Sequence, residues 1–264
     1  KNDYKVFNHK LMYFFTMAFN YLNSNFAAFA HRGGANDFVE NTLEAFEQSI
    51  NLGYKYIETD VQATKDNKLV IFHDSDLKRM LDKEIDIGSI DYDELCKYKI
   101  NGIHKIPTFL EAVNSWPEIN FNIDPKSQKS AELLINELKS VGNLDRFCIG
   151  SFDSNKLHKI REAFNDKICT SMGTNEVVNF YFLRFFGINN ISTPCIQIPY
   201  YRRGFKVITA GLIEDAHKFN KKVHAWTIDD PNQMNELIDM GIDGIMTDSP
   251  ELLKTVLAKK RISI

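Results

Sequence analysis

Two histidines and a pair of carboxylates, whose types and spacing suit acid-base chemistry, lie within one short stretch of the chain. His31 and His73 each follow a short apolar run, and Glu58 and Asp60 lie between them. The unperturbed pKa of imidazole, about 6.5, suits the exchange of protons near neutral pH. Taken singly, each histidine is more often structural, but two in the same context beside an acidic pair predict a catalytic site.

Glu58 and Asp60 occupy alternate positions of the segment 56–61, which has the pattern of a β-strand. Side chains at i and i+2 of a strand point to the same face, so both carboxylates project together. Like charges held side by side need a compensating cation, and hard oxygen ligands suit Mg2+, Ca2+ or Mn2+ better than Zn2+. The alternative is an edge strand with one solvated acidic face.

Together with further motifs along the chain, these residues resemble the glycerophosphodiester phosphodiesterase family. The motifs are His31–Gly34 followed by Glu40–Phe46, Ile57–Val61, Val70–Asp74 with Leu77 and Arg79, Asn122–Lys126, His224–Ile228, and Gly241–Pro250. They occur in the family's order over about residues 26–256, whereas the middle, from about 150 to 195, matches only in pattern. The motifs look like those of the branch that includes lysophospholipase D-type enzymes.

The resemblance implies one divalent metal ion, Mg2+ or Ca2+ with Mn2+ as an alternative, held by Glu58, Asp60 and a third carboxylate at Asp124. The family commonly has Glu at the third position. The shorter Asp124 would bring the metal closer to its strand or leave a ligand position for water. An Asp that turns the chain before a proline is the alternative. His31 and His73 are then the catalytic pair.

Arg32, Lys126 and Trp226 are the substrate-binding residues that the resemblance implies. Arg32 and Lys126 would neutralise non-bridging phosphate oxygens, although an ion pair between Arg32 and a carboxylate is the alternative. Trp226 would line the glycerol or leaving-group side of the site, with a plain core position as the alternative. The nearby segment Tyr201–Arg203 is more typical of a solvated loop than of a phosphate clamp.

The implied activity is metal-dependent hydrolysis of a glycerophosphodiester to an alcohol and sn-glycerol 3-phosphate, by in-line displacement at phosphorus. One histidine takes a proton from the attacking oxygen and the other protonates the departing alkoxide. Each proton transfer typically raises the reaction rate by ~10²- to 10⁴-fold. We lean toward His31 as the base and His73 as the acid. The attacker is either water or the substrate's own glycerol hydroxyl. Alternatives are lysophospholipase D-type cleavage of lysophospholipids to lysophosphatidic acid, a lyase that releases cyclic phosphates, and a barrel that binds metal and phosphate without turnover.

The elements that must position these side chains alternate between short apolar runs and helical patterns, which is typical of a parallel α/β barrel. The chain has 264 residues, 44% of them hydrophobic, which suits one (β/α)8 TIM barrel of about 250 residues. We predict a single phosphodiesterase domain over 26–264, with Asn41 or Thr42 capping the first helix. Barrel strands are predicted at 26–30, 56–61, 120–124, 146–150, 167–170, 195–198, 223–226 and 244–247.

The segment from about 62 to 106 interrupts this alternation and is predicted to be a small insertion after the second barrel strand. It contains an extra strand at 69–72, a charged stretch and a short helix near 91–98. The family carries a small insertion at this place. We therefore expect the insertion to fold over the mouth of the barrel and to return His73 to the site.

Two apolar segments raise the question of lipid contact. The first, residues 1–25, is predicted as an N-terminal apolar helix, but its apolar run is too short for the ~20 residues of a membrane span. We expect it either to plug the bottom of the barrel or to lie in a membrane interface. The second is the aromatic helix 177–186, which is either a buried outer helix or a surface that meets lipid.

Net charge and cysteine spacing exclude some classes of partner and site. The net charge of −3 gives no electrostatic case for nucleic acid. The expected partner is a small glycerophosphodiester or lysophospholipid, with peripheral membrane contact and a cytoplasmic or peripheral membrane localisation as further expectations. The four cysteines, at 96, 148, 169 and 195, lack CxxC spacing, which indicates core thiols and neither a disulfide framework nor a zinc site.

Overall fold

Eight apolar runs of the sequence lie side by side as parallel strands in the computed structural model, which describes residues 19–264. The strands are β1 (Ala27–Ala30), β2 (Tyr56–Ala63), β3 (Leu69–Ile71), β4 (Lys99–Ile100), β5 (His104–Lys105), β6 (Asn120–Pro125), β7 (Phe147–Ile149), β8 (Cys169–Thr170), β9 (Cys195–Pro199), β10 (Tyr201–Arg202), β11 (Phe205–Lys206), β12 (Lys222–Trp226) and β13 (Gly244–Thr247). The helices are α1 (Leu43–Asn51), α2 (Lys78–Leu81), α3 (Tyr92–Leu95), α4 (Phe109–Ser115), α5 (Gln128–Val141), α6 (Ser154–Ala163), α7 (Thr174–Leu183), α8 (Ala210–Lys218), α9 (Pro231–Asp239) and α10 (Pro250–Lys259).

The barrel strands follow the order β8-β7-β6-β2-β1-β13-β12-β9, and each neighbouring pair in this order is parallel. The two ends of the series, β8 and β9, meet through one isolated bridge between Ser171 and Cys195. The barrel is therefore nearly closed, with a seam at this bridge. The predicted TIM barrel is confirmed, and the strand predicted at 167–170 is shorter than expected because β8 lies at the seam.

Alternate residues of the barrel strands enter two different cores, as the period of a strand requires. On β1, Ala28 and Ala30 point outward and pack in the large core between the strands and the surrounding helices. Ala27 and Phe29 point inward, into a smaller core that fills the barrel together with Tyr56. The interior is thus a packed core below the site, and the open space lies above it.

Capping side chains set where the outer helices begin. The Thr42 hydroxyl accepts a hydrogen bond from Ala45 N over 3.1 Å at the start of α1. Asp230 caps α9 in the same way, and Pro231 follows it in the first turn, where no backbone donor is needed. Thr42 is therefore the cap of the two predicted candidates, which leaves the Asn41 side chain available to the site.

The segment between β2 and α4 folds as an additional layer with a core of its own. β3 pairs antiparallel with the last residues of β2, so the chain reverses at the mouth of the barrel. The helices α2 and α3 and the β4–β5 hairpin follow, and they pack around Val70, Phe72, Leu77 and Leu95. The reversal along β3 carries His73, which follows it, back to the carboxyl end of β2.

The predicted N-terminal helix 1–25 lies mostly outside the described residues, which begin at Phe19. In the described part, Asn20–Leu22 forms a 3-10 helix, and the buried Tyr21 ring packs edge-on against Tyr56 at the start of β2. Asn20 also donates to Asp145, just before β7. This part of the chain therefore contacts the end of the barrel opposite to the predicted site. Within residues 19–264, none of the helices has the length and apolar character that crossing a membrane requires.

Candidate active site

A cavity of about 240 Å³ opens at the carboxyl ends of the barrel strands. All eight residues predicted for the site line it: His31, Arg32, Glu58, Asp60, His73, Asp124, Lys126 and Trp226. In parallel α/β barrels this end is the usual place for ligand sites, since the loops there can vary without disturbing the sheet. The fold thus brings the predicted residues into one space.

His31 begins a sharp turn directly after β1. The turn has positive φ angles at Arg32 (51°), Gly33 (82°) and Gly34 (101°). A Cβ at Gly33 would lie 2.7 Å from a side-chain carbon, and one at Gly34 would lie 2.6 Å from another, so both positions require glycine. The turn directs the backbone N–H of Arg32 into the site, where it donates to Glu58 Oε2 over 3.0 Å.

The His31 ring is held between two carboxylates. Its Nδ1 lies 2.7 Å from Asp248 Oδ1, and its Nε2 lies 3.7 Å from Glu58 Oε2. Burial acts to lower the pKa of His31, but Glu58 and the hydrogen bond to Asp248 outweigh it and raise the pKa to about 9. The two carboxylates thus favour the protonated form of the ring.

Glu58 and Asp60 lie on one face of β2, and both are buried. Burial and the neighbouring Asp60 raise the pKa of Glu58 to about 7, although His31 and Lys126 act against the shift. Burial also acts to raise the pKa of Asp60, but Lys126 and Arg32 outweigh it and hold that pKa below its ordinary value. The neighbouring cations thus compensate the charge of Asp60 more fully than that of Glu58.

Asp60 is the centre of a dense set of contacts. Its Oδ1 lies 2.6 Å from Lys126 Nζ, and its Oδ2 lies 3.3 Å from Arg32 Nε. The Asn41 amide donates to Asp60 Oδ2 over 3.0 Å and accepts from the Thr59 hydroxyl over 2.8 Å, which fixes the orientation of the amide. Both cations predicted for substrate binding are therefore paired with Asp60, which for Arg32 is the alternative that the sequence left open.

Lys126 also separates the two aspartates that were predicted as metal ligands. Its Nζ lies 2.8 Å from Asp124 Oδ2 as well as 2.6 Å from Asp60. The ligand atoms of Glu58, Asp60 and Asp124 are accordingly not all within 4.8 Å of one another. Their chemistry still fits a hard divalent cation, because all three offer carboxylate oxygens to one wall of one cavity. A cation shared by all three requires them to be closer together than they are here.

His73 reaches the site from the insertion and is oriented by a carboxylate, as His31 is. Its Nδ1 lies 2.6 Å from Asp74 Oδ1, and Asp74 Oδ2 lies 2.6 Å from Arg79 Nε. Arg79 in turn contacts Glu40 over 2.7 Å. The Gln62 side chain donates to the backbone carbonyls of His73 and Asp74, which holds this strand end against β2. With Nδ1 occupied, Nε2 is the ring nitrogen left for substrate.

The cavity has two contrasting walls. The ionic wall is formed by His31, Arg32, Glu58, Asp60, His73, Asp124 and Lys126, and the apolar wall by Phe152, Met172, Val177, Val178, Ile198 and Trp226. On the apolar wall, the Trp226 and Phe152 rings pack edge-on with centroids 5.5 Å apart. Such a pair gives a flat apolar surface opposite the charged groups. The cavity therefore suits a molecule with an anionic part and an apolar or cationic part.

Comparison with known proteins agrees with the motifs and with this geometry. Residues 31–252 match the model of the glycerophosphoryl diester phosphodiesterase family. The chain belongs to this family. It is thus a phosphoric diester hydrolase, and the predicted family and enzyme class are confirmed.

Individual members of the glycerophosphoryl diester phosphodiesterase family resemble the chain over most of its length. The probable glycerophosphodiester phosphodiesterase 2 of Mycobacterium tuberculosis is 31% identical over 237 residues, which cover 87% of this chain and 90% of that protein. A lysophospholipase D of Rattus norvegicus is 25% identical over 266 residues, covering 86% of this chain and 85% of that protein. The solved structure of an Oleispira antarctica phosphodiesterase in complex with the product sn-glycerol-3-phosphate has a TM-score of 0.74 and 22% identity, with 88% of this chain and 96% of that chain covered.

Sequence reasoning missed several residues that support the site of this family member. Asp248 lies in the motif Gly241–Pro250 and has no role among the predictions, although it directly follows β13 as His31 directly follows β1, and that shared position is the signal that could have found it. Glu40, which contacts both Arg32 and Arg79, left no comparable signal. Its partners are far apart in the chain and meet only through the folded insertion.

The cysteines lie apart from the ionic wall. All four are free, and Cys148, Cys169 and Cys195 are buried in the barrel interior. Their sulfur atoms lie within 4.8 Å of one another, and Cys148 Sγ is 4.0 Å from Cys195 Sγ. The thiols are thus part of the core that supports the floor of the cavity.

Proposed function

We propose that this phosphodiesterase hydrolyses glycerophosphodiesters to an alcohol and sn-glycerol 3-phosphate, with His31 and His73 as the pair that transfers protons. The observation that carries the proposal is the shared arrangement of the two rings. Each has Nδ1 fixed by a carboxylate, Asp248 for His31 and Asp74 for His73, at the edge of one cavity. A carboxylate at Nδ1 fixes the tautomer and orientation of an imidazole, as proton transfer through Nε2 requires.

In the proposed reaction, a water oxygen forms a bond to phosphorus and the bond to the leaving alkoxide breaks in line with it. One histidine accepts the proton of the attacking water, and the other donates a proton to the alkoxide. Arg32 and Lys126 contact non-bridging oxygens, and Trp226 lines the leaving-group side. The product seen in the Oleispira antarctica relative, sn-glycerol-3-phosphate, supports this direction of cleavage.

Glu58, Asp60 and Asp124 are proposed to hold one divalent cation, Mg2+ or Ca2+ or alternatively Mn2+. When bound, the cation supplies positive charge that offsets the charge developing on the phosphoryl oxygens. The buried Glu58–Asp60 pair supports this assignment, because burial and Asp60 keep the pKa of Glu58 raised in spite of the positive charge that His31 and Lys126 supply.

The test compares His31→Ala and His73→Ala with the parent enzyme on glycerophosphocholine. Each substitution is expected to lower kcat by ~10²- to 10⁴-fold, since each removes one proton transfer. His158→Ala is the matched control, because His158 is exposed on α6 and pairs only with Glu162 among the described residues. Full turnover by both variants would falsify the assignment, and metal binding without turnover by the parent enzyme would indicate a non-catalytic barrel.

A substrate with a better leaving group separates the roles of the two histidines. A p-nitrophenyl phosphodiester needs little protonation of its leaving oxygen, so the variant that lacks the acid should lose much less activity with it. The variant that lacks the base should lose as much activity as with glycerophosphocholine. Phosphorus NMR of the products distinguishes hydrolysis from release of a cyclic phosphate, which would indicate attack by the substrate's own hydroxyl.

Lysophospholipase D-type cleavage is the second candidate function, and the apolar wall favours it. A lysophospholipid has the same phosphodiester with an added acyl chain, which needs apolar surface next to the phosphate site. The resemblance to a rat lysophospholipase D supports this candidate. Incubation with lysophosphatidylcholine and glycerophosphocholine tests it, and turnover of only the soluble diester would reject the lipid activity.

A further inference from the structure

Most exposed apolar side chains lie in three segments that each contribute residues to the lining of the cavity. Among the large hydrophobic side chains that are exposed in residues 19–264, all except Ile103 come from the β7–α6 loop, from α7 and the residues that follow it, or from the segment after β9. We define the aromatic rim as Phe152, Val178, Phe182, Phe185, Phe186 and Phe205, whose exposed fractions range from 46% to 78%. Apolar patches of this kind on a soluble domain are typical of interaction surfaces.

The part of the aromatic rim on α7 is one helix face. Val178 lines the cavity, and Phe182 follows at i+4 on the same side of α7, whereas Phe185 and Phe186 lie in the 3-10 turn that follows the helix. Of the large side chains on α7, Phe180 is the one that is buried against the barrel. The aromatic helix therefore has one buried face and one exposed face.

The hairpin after β9 is a further part of the aromatic rim, next to the part on α7, since β8 and β9 meet at the seam. Arg202 lines the cavity and is paired across the hairpin with Phe205. Directly paired residues of antiparallel strands have side chains on the same face, so Phe205 lies beside Arg202. The segment Tyr201–Arg203, expected as a solvated loop, is thus a short hairpin that joins the cavity to the aromatic rim.

Charge distinguishes this side of the molecule from the rest. The chain has 35 acidic residues, yet none occurs between positions 177 and 213. Arg184, in this segment, is buried and paired with Asp215, whereas Arg202 and Arg203 are exposed and form no ion pair within the described residues. The carboxylates that contact this segment are already paired, Asp215 with Arg184 and Glu236 with Lys206, so Arg202 and Arg203 are left as cations beside the aromatic rim, which complements a surface of phosphate groups.

We propose that the aromatic rim docks the enzyme on a phospholipid bilayer, with the cavity mouth facing the headgroups. Phenylalanine side chains enter the boundary between headgroups and acyl chains, and the hairpin arginines contact lipid phosphates. The rim is continuous with the apolar wall through Phe152 and Val178, so a lipid phosphodiester can reach the ionic wall while its chain stays on apolar surface. That last step depends on the proposed function, whereas docking itself does not.

The test measures co-sedimentation of the protein with vesicles of phosphatidylcholine, alone or equimolar with phosphatidylglycerol. The double variant F182S/F186S removes two exposed rings that do not line the cavity. It should bind vesicles about 10- to 100-fold more weakly than the parent, because two rings lose their apolar contact. Turnover of soluble glycerophosphocholine should stay unchanged, which separates loss of docking from loss of the catalytic site.

Ile103→Ser is the matched control, since Ile103 is 73% exposed on the insertion and lies outside the aromatic rim. It should bind vesicles as the parent does. Arg203→Gln tests the charge contribution and should weaken binding to the anionic vesicles by about fivefold, with little change on phosphatidylcholine alone.

Three outcomes of the vesicle experiment would overturn docking by the aromatic rim. They are a parent enzyme that stays in the supernatant with both vesicle types, a double variant that binds as the parent does, and an equal loss in the Ile103→Ser control. A rim that instead pairs two copies would appear as a dimer without vesicles, converted to a monomer by F182S/F186S, and would also reject the proposal. If the parent enzyme does not turn over glycerophosphocholine, the proposed function is rejected, but the result of the vesicle experiment remains valid.

Discussion

The ionic wall and the apolar wall of the cavity are built on different principles. On the ionic wall, each charged group contacts at least one other, as Asp60 does with Lys126 and Arg32, and the residues come from motifs shared with the family. Most of the apolar wall comes from the part of the chain that matches the family only in pattern, with Trp226 in a shared motif as an exception, and Phe152 and Val178 on it are exposed. The ionic wall thus consists of residues that constrain one another, and the apolar wall includes exposed side chains that can be exchanged singly.

This difference has an energetic consequence. Buried charges such as Asp60 are stable only while their partners are present, because loss of one partner leaves a charge without compensation. An exposed side chain such as Phe152 can change with little effect on folding. The two walls should therefore respond differently to substitution, in kind as well as in size.

Removal of the divalent cation should give the largest effect. A chelator is expected to lower turnover of every phosphodiester substrate by at least ~10³-fold, because charge compensation at the phosphate is lost. Adding back Mg2+, Ca2+ or Mn2+ in separate assays should restore activity and identify the preferred ion. Undiminished turnover in the chelator would show that the ionic wall acts without a metal.

Asp248→Asn should give the next largest effect. The substitution keeps the side-chain shape but removes the charge that orients His31, so kcat should fall by about 10²-fold with little change in KM. Asp230→Asn is the control, since this substitution removes the same charge at the N-terminal cap of α9, where the side chain does not contact His31. A change in KM alone would indicate a role for Asp248 in binding and not in positioning His31.

Asn41→Ala tests the stability of the ionic wall. It removes the donor to Asp60 Oδ2 and the acceptor of the Thr59 hydroxyl, so the free energy of unfolding should fall by about 2 to 3 kcal/mol. Val178→Ser on the apolar wall should change it by less than about 0.5 kcal/mol. Urea denaturation of both variants measures the contrast, and equal losses would remove the proposed distinction between the walls.

Phe152→Ser should give the smallest effect. We expect the KM for lysophosphatidylcholine to rise about fivefold, because roughly 1 kcal/mol of apolar contact is lost. The kcat for this substrate and both constants for glycerophosphocholine should stay within about twofold of the parent. An equal rise in KM for the soluble substrate would indicate that the apolar wall contacts glycerol or the headgroup and not an acyl chain.

Local patterns were sufficient to predict the barrel and, on the ionic wall, the two histidines and the Glu58–Asp60 pair, whereas Arg32, Asp124 and Lys126 were expected from the resemblance to the family. The strand spacing of Glu58 and Asp60 put both carboxylates on one face, and the extra strand at 69–72 predicted the return of His73. These features depend on periods of two residues and on neighbours close in the chain. These features can therefore be predicted from the sequence without knowledge of the complete fold.

Contacts between distant segments could not be predicted in this way. His31 and Asp248 are separated by 217 positions and meet because β1 pairs with β13 when the barrel closes. The placement of Lys126 between Asp60 and Asp124 depends on the register of β2 against β6, which aligns the two aspartates. Exposure of one face of α7 was undecidable from sequence, because aromatic residues occupy both its buried and its exposed side.

The seam between β8 and β9 is a weakly bonded part of the barrel, and the rate at which it opens can be measured. Beyond the isolated bridge, these edges share a hydrogen bond from Met172 N to Cys195 O, so local opening without global unfolding should begin here. Cys169 and Cys195 lie on the two edges and are fully shielded while the seam is shut. The rate at which a thiol reagent modifies Cys169 and Cys195, relative to its rate with the partly exposed Cys96, would therefore measure how often the seam opens locally.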